Sequence, residues 1–194
     1  MRLRLCLVLA LLIPLAACTP TPHWELTSLR GHMPDLQFSL TNDVGQKVTA
    51  ADYRGKVVMV YFGYTHCPDV CPLTLTHLHM AMQQLGKSAD DVRILFVSVD
   101  PARDTPAILH TYVQAFDPRV VGLTGSLAEL KQFAKRYRVA FDPETPQANG
   151  QYDVTHSSAI FVFNQKGQAA VLATSADGLP AIVHDLTQIL GTAQ

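Results

Sequence analysis

Six consecutive apolar residues, Val57-Val58-Met59-Val60-Tyr61-Phe62, run into Gly63-Tyr64-Thr65-His66-Cys67-Pro68-Asp69-Val70-Cys71-Pro72, and then into a segment whose apolar side chains recur at helical spacing. A strand that is apolar on both faces needs helices covering each side, which confines the chain to α/β architectures. Two cysteines four apart therefore stand at a strand-to-helix junction. Loops leaving the carboxyl ends of strands form the crevices that ligands use in such folds.

The 194 residues suffice for one domain with a sizeable core and are few for two. Charged residues make up 16% and the net charge is -1, a balance without a nucleic-acid footprint or an acidic tail. Arg2 and Arg4 precede an apolar run, Leu5 to Leu15, that is too short to span a bilayer and has the pattern of a secretory signal. It ends in Leu15-Ala16-Ala17-Cys18, which resembles a bacterial lipobox. That resemblance implies a signal peptide over residues 1–17, cleavage before Cys18, and lipid on its sulfur and amine. Such an anchor holds a domain on the membrane without spanning it. A plain signal peptide or a short N-terminal membrane anchor is the simpler alternative. Cleavage removes two of the 15 basic residues, leaving 13 against 16 acidic and a net charge of -3. It also removes Cys6 and commits Cys18 to lipid, so that Cys67 and Cys71 are the two remaining thiols. In an exported protein such a pair serves as a disulfide, a redox couple or a soft-metal site.

Residues 18–34, with Pro20, Pro22 and Pro34 and no periodicity, are expected to form a lipidated tether, and 35–194 the folded domain. Leu36 to Leu40 and Gln46 to Thr49 flank turn residues and predict a small N-terminal hairpin. The central strand covers about Lys56 to Phe62. In the helix that follows, Cys71, Leu75, Leu78, Met82 and Leu85 share one stripe as far as Gly86. A second buried strand spans Val92 to Val99, and Thr105 or Asp104 caps the next helix ahead of Pro106. Asp100, Arg103 and Asp104 are expected to act as caps and a local ion pair. Ser126-Leu127-Ala128-Glu129 is a capping box that opens a third helix with Leu127, Leu130, Phe133, Ala134 and Tyr137 inward. A polar loop from Asp142 to Gln151 leads to a strand at Ser158 to Phe163, a turn at Asn164 to Gly167 and a return from Gln168 to Thr174. A helix from Gly178 to Leu190 closes the chain. Strand, helix, strand, two helices, hairpin and helix predict a mixed sheet sandwiched between helices.

Strands 56–62 and 92–99 are joined through a helix and should run parallel. If strand 158–163 lies antiparallel to the central one, its start falls at the edge that carries the cysteine loop. His156 immediately precedes that start, so it approaches sulfurs that lie 85 and 89 residues away in sequence. His66 is its main competitor and is expected to point away along the loop. His77 and His79 lie off the apolar stripe and are expected to be solvated, and Met80 and Met82 to serve packing or the helix surface.

The ordered motifs GYTHCPDVCP, SVDPARDTP, VGLTG and YDVTHSS, behind an export signal, resemble the Sco/SenC family of thioredoxin-fold copper proteins over about residues 35 to 190. The resemblance implies an α/β, thioredoxin-like fold with an N-terminal hairpin extension. It also implies Cys67 and Cys71 as copper-binding thiolates, His156 as third ligand, and delivery of copper to the CuA site in subunit II of cytochrome c oxidase. With the lipobox, this places the protein in a bacterial cell envelope, lipid-anchored and facing the periplasm, where other copper carriers or thiol reductants would serve it. The family commonly has Asp directly before the histidine. This chain has Thr155 there, with Asp153 as a substitute orienting group.

Thiolate selects Cu(I) and imidazole suits Cu(II), so a set of two cysteines and one histidine can hold both oxidation states. A helix N-terminus beside the sulfurs is expected to favour thiolate over thiol. The same property serves disulfide exchange, so the leading reading is a copper chaperone rather than an enzyme and the alternative is an extracytoplasmic thiol-disulfide oxidoreductase that reduces the same target's cysteines. A peroxiredoxin-type peroxidase is weakened because that family places Pro and Thr at set distances before its cysteine, and here Thr65 is two residues before Cys67 with no Pro in the loop ahead of it. A scaffold held by a single disulfide is the bland alternative.

Overall fold

The computed structural model describes residues 23–143, 153–174 and 176–192. Cys18, Tyr152 and most of the loop expected over 142–151 lie outside them. The strands are β1 (Thr27–Ser28), β2 (Ser39–Asn42), β3 (Lys47–Thr49), β4 (Val57–Gly63), β5 (Val92–Ser98), β6 (Val120–Thr124), β7 (Phe141–Pro143), β8 (Val154–His156), β9 (Ile160–Phe163) and β10 (Ala169–Ala173). The α-helices are α1 (Val70–Leu85), α2 (Pro106–Gln114), α3 (Leu127–Arg136) and α4 (Leu179–Gly191). Eight strands form one mixed sheet in the order β1-β10-β9-β4-β5-β6-β2-β3, and β7 and β8 pair separately. Strands β4 and β5 run parallel and β9 joins β4 antiparallel, as expected from the sequence, and β6 adds a further parallel strand.

Every residue of β4 is buried. Side chains alternate across a strand, so Val57, Met59 and Tyr61 face one core while Val58, Val60 and Phe62 face another. The first core is closed by Cys71, Leu75, Leu78 and Met82 of α1, Leu109 and Val113 of α2, and Ile182, Leu186 and Ile189 of α4. The second is closed by Leu130, Phe133 and Ala134 of α3 with Tyr137. The capping box forms, with Ser126 accepting from the Glu129 N–H. Leu127, expected inward, is exposed because it begins the helix beyond the sheet.

Three segments differ from expectation, one of them the β7–β8 pair, where the sequence predicts a loop from Asp142 and no strand before Ser158. The second half of the predicted tether belongs to the fold: β1 pairs with β10, and Leu26 and Leu29 are buried, one in each core. The wholly buried Asp185 carboxylate of α4 accepts from the N–H groups of Glu25 and Leu26 at 3.1 and 3.0 Å, which fastens this segment. A two-residue strand is too short to show a period of two, so its sequence is featureless. Strand β6, between α2 and α3, was not expected as a strand. Gly122 interrupts its apolar run, because a Cβ there would meet the Leu109 Cβ at 2.9 Å. Glycine in a strand often marks such a close approach.

Candidate metal centre

The sulfur loop is built where β4 ends. Tyr64 to Cys67 turns back on itself, the Cys67 N–H donating to the Tyr64 carbonyl at 3.2 Å. Helix α1 then starts at Val70, which leaves Cys67 outside the helix and Cys71 within its first turn. Cys71 is fully buried, Cys67 is half-buried and packed against both cores, and both are free thiols. The Tyr61 hydroxyl donates to the Cys71 sulfur at 3.5 Å. Gly63 makes room for that sulfur, since a Cβ on it would lie 2.8 Å from Cys71 Sγ and 2.7 Å from Phe96 Cε2.

The expected thiolate stabilisation fails at Cys71. Burial pushes its thiol from 9.0 up to about 12, against the Tyr61 hydrogen bond and the Tyr64 backbone, which pull the other way. Desolvation of a charge exceeds what a helix N-terminus returns. Metal binding deprotonates a coordinating thiol outright, so two sulfurs at one loop fit a soft cation even where the free thiol keeps its proton.

The second half of the expected site is placed by the backbone. Tyr61 of β4 pairs with Ile160 of β9, so the chain ahead of Ile160 reaches the sheet edge that carries the cysteines. His156 ends β8 and is paired with Phe141 of β7. The side chains of Thr155 and His156 lie outside the described residues. Among the described residues, no group of three or more His, Cys, Asp or Glu is arranged to hold a metal ion. The two halves meet at Tyr64, whose hydroxyl donates to Asp153 Oδ1 at 3.2 Å and accepts from the Val154 backbone, and whose ring shares the second core with Phe141 and Val154. Burial first, and then the charges of Cys67 and Asp153, push the Tyr64 phenol up to about 12. It remains a donor across the neutral range.

His66 is turned along the loop, its Nδ1 3.1 Å from Thr65 Oγ1. His79, expected in solvent, is instead half-buried and paired with Asp117 at 2.8 Å. Met82 is buried and Met80 exposed, as packing and surface roles require. Asp100 and Arg103 form the expected ion pair, and Thr105 caps α2 by accepting from the Ile108 N–H. Asp104 does neither: it is wholly buried and turned toward the cysteine loop. Gly63 had no role marked in the sequence, and Asp104, expected at the site edge as a cap or ion-pair partner, is instead tied to the cysteine loop. Exposed apolar side chains flank the loop, Val70 and Leu73 on one side and Ile108 on the other.

Against known proteins, the SCO1/SenC family model matches residues 30–191. The human mitochondrial protein SCO1 homolog is 38% identical over 133 residues, which are 68% of this chain and 44% of that protein. The chain spans about half the length of the curated relatives it matches. The structure of Bradyrhizobium japonicum ScoI with copper bound is similar at TM-score 0.73 and 35% identity, covering 80% of this chain and 98% of that one. A SCO1/SenC family lipoprotein from Bacillus anthracis is similar at TM-score 0.69 and 28% identity, covering 80% and 94%.

Proposed function

The chain belongs to the SCO1/SenC family, and from that premise we propose that it is a copper chaperone that holds its cargo on Cys67, Cys71 and His156 and hands it to the CuA site of cytochrome c oxidase subunit II. The observation that carries this reading is that the loop bearing two free thiols is hydrogen-bonded, through Tyr64, to Asp153, which directly precedes the strand ending in His156. A family relative solved with copper bound supports the choice of metal. Thiolates retain Cu(I) and an imidazole adds affinity for Cu(II).

In this reading Cys71 gives up its proton when copper arrives, and Tyr61 and the Tyr64 backbone stabilise the sulfur charge that results. Cys67, half-buried at the seam of the two cores, is the sulfur that a partner can reach. Val70, Leu73 and Ile108 give the apoprotein target an apolar surface beside the loop. Cys18 carries the lipid that keeps the domain on the periplasmic side of a bacterial membrane, a location supported by Leu15-Ala16-Ala17-Cys18 and by the lipoprotein relative.

A thiol-disulfide oxidoreductase would use the same loop, the Cys67 and Cys71 thiols giving two electrons and two protons to a target disulfide. The free dithiol, with Cys67 open to a partner, is compatible with it, and the buried Cys71 thiol would then be the resolving sulfur. Titration of the reduced protein with Cu(I) and Cu(II), followed by spectra and metal analysis, decides between the two. Retention of about one copper per chain by the wild type, and its loss in Cys67→Ser and Cys71→Ser, is expected of a soft-metal site. A metal-free protein that reduces the oxidase cysteines catalytically would overturn the chaperone reading.

A further inference from the structure

We propose that Asp104 is a positioning residue of the copper loop, setting where Cys67 presents its sulfur relative to Cys71. The proposal rests on the reading of these two cysteines as copper ligands. The loop from β5 to α2 brings Asp104 to the edge where β4 ends, because β5 runs parallel to β4 with Gly63 opposite Ser98. Thr105 caps α2, so the Asp104 carboxylate is free of the helix.

Its two oxygens receive three hydrogen bonds. Thr65 donates its N–H to Oδ2 at 3.1 Å and its hydroxyl to Oδ1 at 2.6 Å, and Ser98 donates its hydroxyl to Oδ2 at 2.6 Å. Ser98 in turn accepts from the Asp100 N–H at 3.0 Å, and the Val99 N–H donates to the Gly63 carbonyl at 2.8 Å. A carboxylate removed from water is tolerated only where hydrogen bonds replace its hydration. The site is therefore costly to build, and two of its three donors belong to Thr65, two residues before Cys67.

The same Thr65 hydroxyl meets His66 Nδ1, and Asp104 Oδ1 lies 3.9 Å from that nitrogen. Asp104 thus fixes both the backbone at Thr65 and the direction of the His66 ring. The turn that follows closes with the Cys67 N–H on the Tyr64 carbonyl, so its starting angle is fixed at Thr65. Groups that orient metal ligands from one shell out typically carry about 10–100-fold of the affinity.

The test uses the full-length protein in detergent, with Cu(I) affinity measured by competition against a chromophoric chelator and the thermal midpoint of the apoprotein measured alongside. Asp104→Asn is expected to weaken Cu(I) binding about 10–100-fold. Thr65→Val should weaken it in the same direction, and Thr65→Ser, which restores the hydroxyl, should recover wild-type binding. Asp185→Asn removes an equally buried carboxylate that also holds two backbone N–H groups; it is expected to lower the thermal midpoint and leave copper affinity unchanged. Wild-type copper affinity in folded Asp104→Asn, or an affinity loss in Thr65→Val that Thr65→Ser does not recover, overturns the proposal. If Asp104→Asn does not fold, the Thr65 pair decides alone. Failure of the wild type to take up copper would sink the chaperone reading separately. The loop is then followed by its equilibrium with glutathione, in which both thiols become a disulfide and one oxidised glutathione becomes two reduced. A shift in that equilibrium for Thr65→Val, recovered by Thr65→Ser, sustains the positioning role, and no shift overturns it.

Discussion

The cysteine loop and the β7–β8 hairpin face each other at one edge of the sheet and are held by different means. The loop springs from β4, buried along its whole length, and is fastened by a buried carboxylate and by close packing under Phe96. The hairpin is two strands of three residues paired only with each other. Its described polar ties to the loop both end on the Tyr64 hydroxyl, from Asp153 and from the Val154 backbone. A two-stranded pair has little independent stability. Although Phe141 and Val154 pack into the second core, the contrast makes the sulfur side of the proposed site its fixed half and the hairpin side the more adjustable one.

The largest expected effect tests the fixed half. Cys71→Ser should take copper retained after dialysis to background, because both thiolates are needed and the serine oxygen is a hard donor. His156→Ala should do less: Cu(I) stays on the two sulfurs, whereas the thiolate-to-Cu(II) absorption is lost. An intact Cu(II) spectrum in that variant would remove His156 from the site and with it the hairpin's role.

Packing beneath the loop supplies the next test. Gly63→Ala drives a methyl group against Cys71 Sγ and Phe96, neither of which has an exposed surface to retreat to. Overpacking of this kind costs about 1–3 kcal/mol, and each kcal/mol lowers the midpoint of a chain this size by about 2–4 °C. An unchanged midpoint would mean that the loop gives way as the hairpin does, and the contrast would fail.

Proton linkage separates the halves further. Below 9.0 the Cys71 thiol is protonated whether the chain is folded or not. Above it the unfolded chain releases the proton while the folded one keeps it until about 12. The contribution to stability is intact up to 9.0 and is lost between 9.0 and about 12. Cys71→Ala should flatten that decline in urea titrations. Copper uptake near neutral pH should release the same proton, read directly in a pH-stat.

The sequence marked those parts of this contrast that rest on long patterns. The apolar run of β4, the stripe of α1 and the antiparallel return of β9 were all legible, and together they put residue 156 at the right edge. What escaped was short or tertiary. β1 and β6 were hidden by length and by Gly122, and the special status of Gly63 arises from a sulfur and a ring brought to it by other elements. Asp104 looked like a cap because its neighbours are capping residues; only the parallel register of β4 and β5 turns it toward Thr65. Cys71 looked activated because a helix N-terminus is visible in sequence, whereas the burial that outweighs it is not.

The smallest expected effect bears on the joint between the halves. Tyr64 is itself buried, and its phenol, pushed up to about 12, keeps its proton at any physiological pH, donating to Asp153 while its oxygen accepts from the Val154 backbone. Tyr64→Phe keeps the ring, with Arg103 stacked 5.8 Å from its centre, and removes the hydroxyl with its bonds to Asp153 and the Val154 backbone. The loss of global stability should be about 0.5–1.5 kcal/mol. If the hairpin is the adjustable half, amide exchange should rise in β7, at Phe141, as well as at Val154, whose N–H loses the Tyr64 oxygen directly, and stay unchanged at Leu75 and Leu78 of α1. Equal increases in both places would show the two regions opening as one unit, and the division into a fixed and an adjustable side would have to be given up.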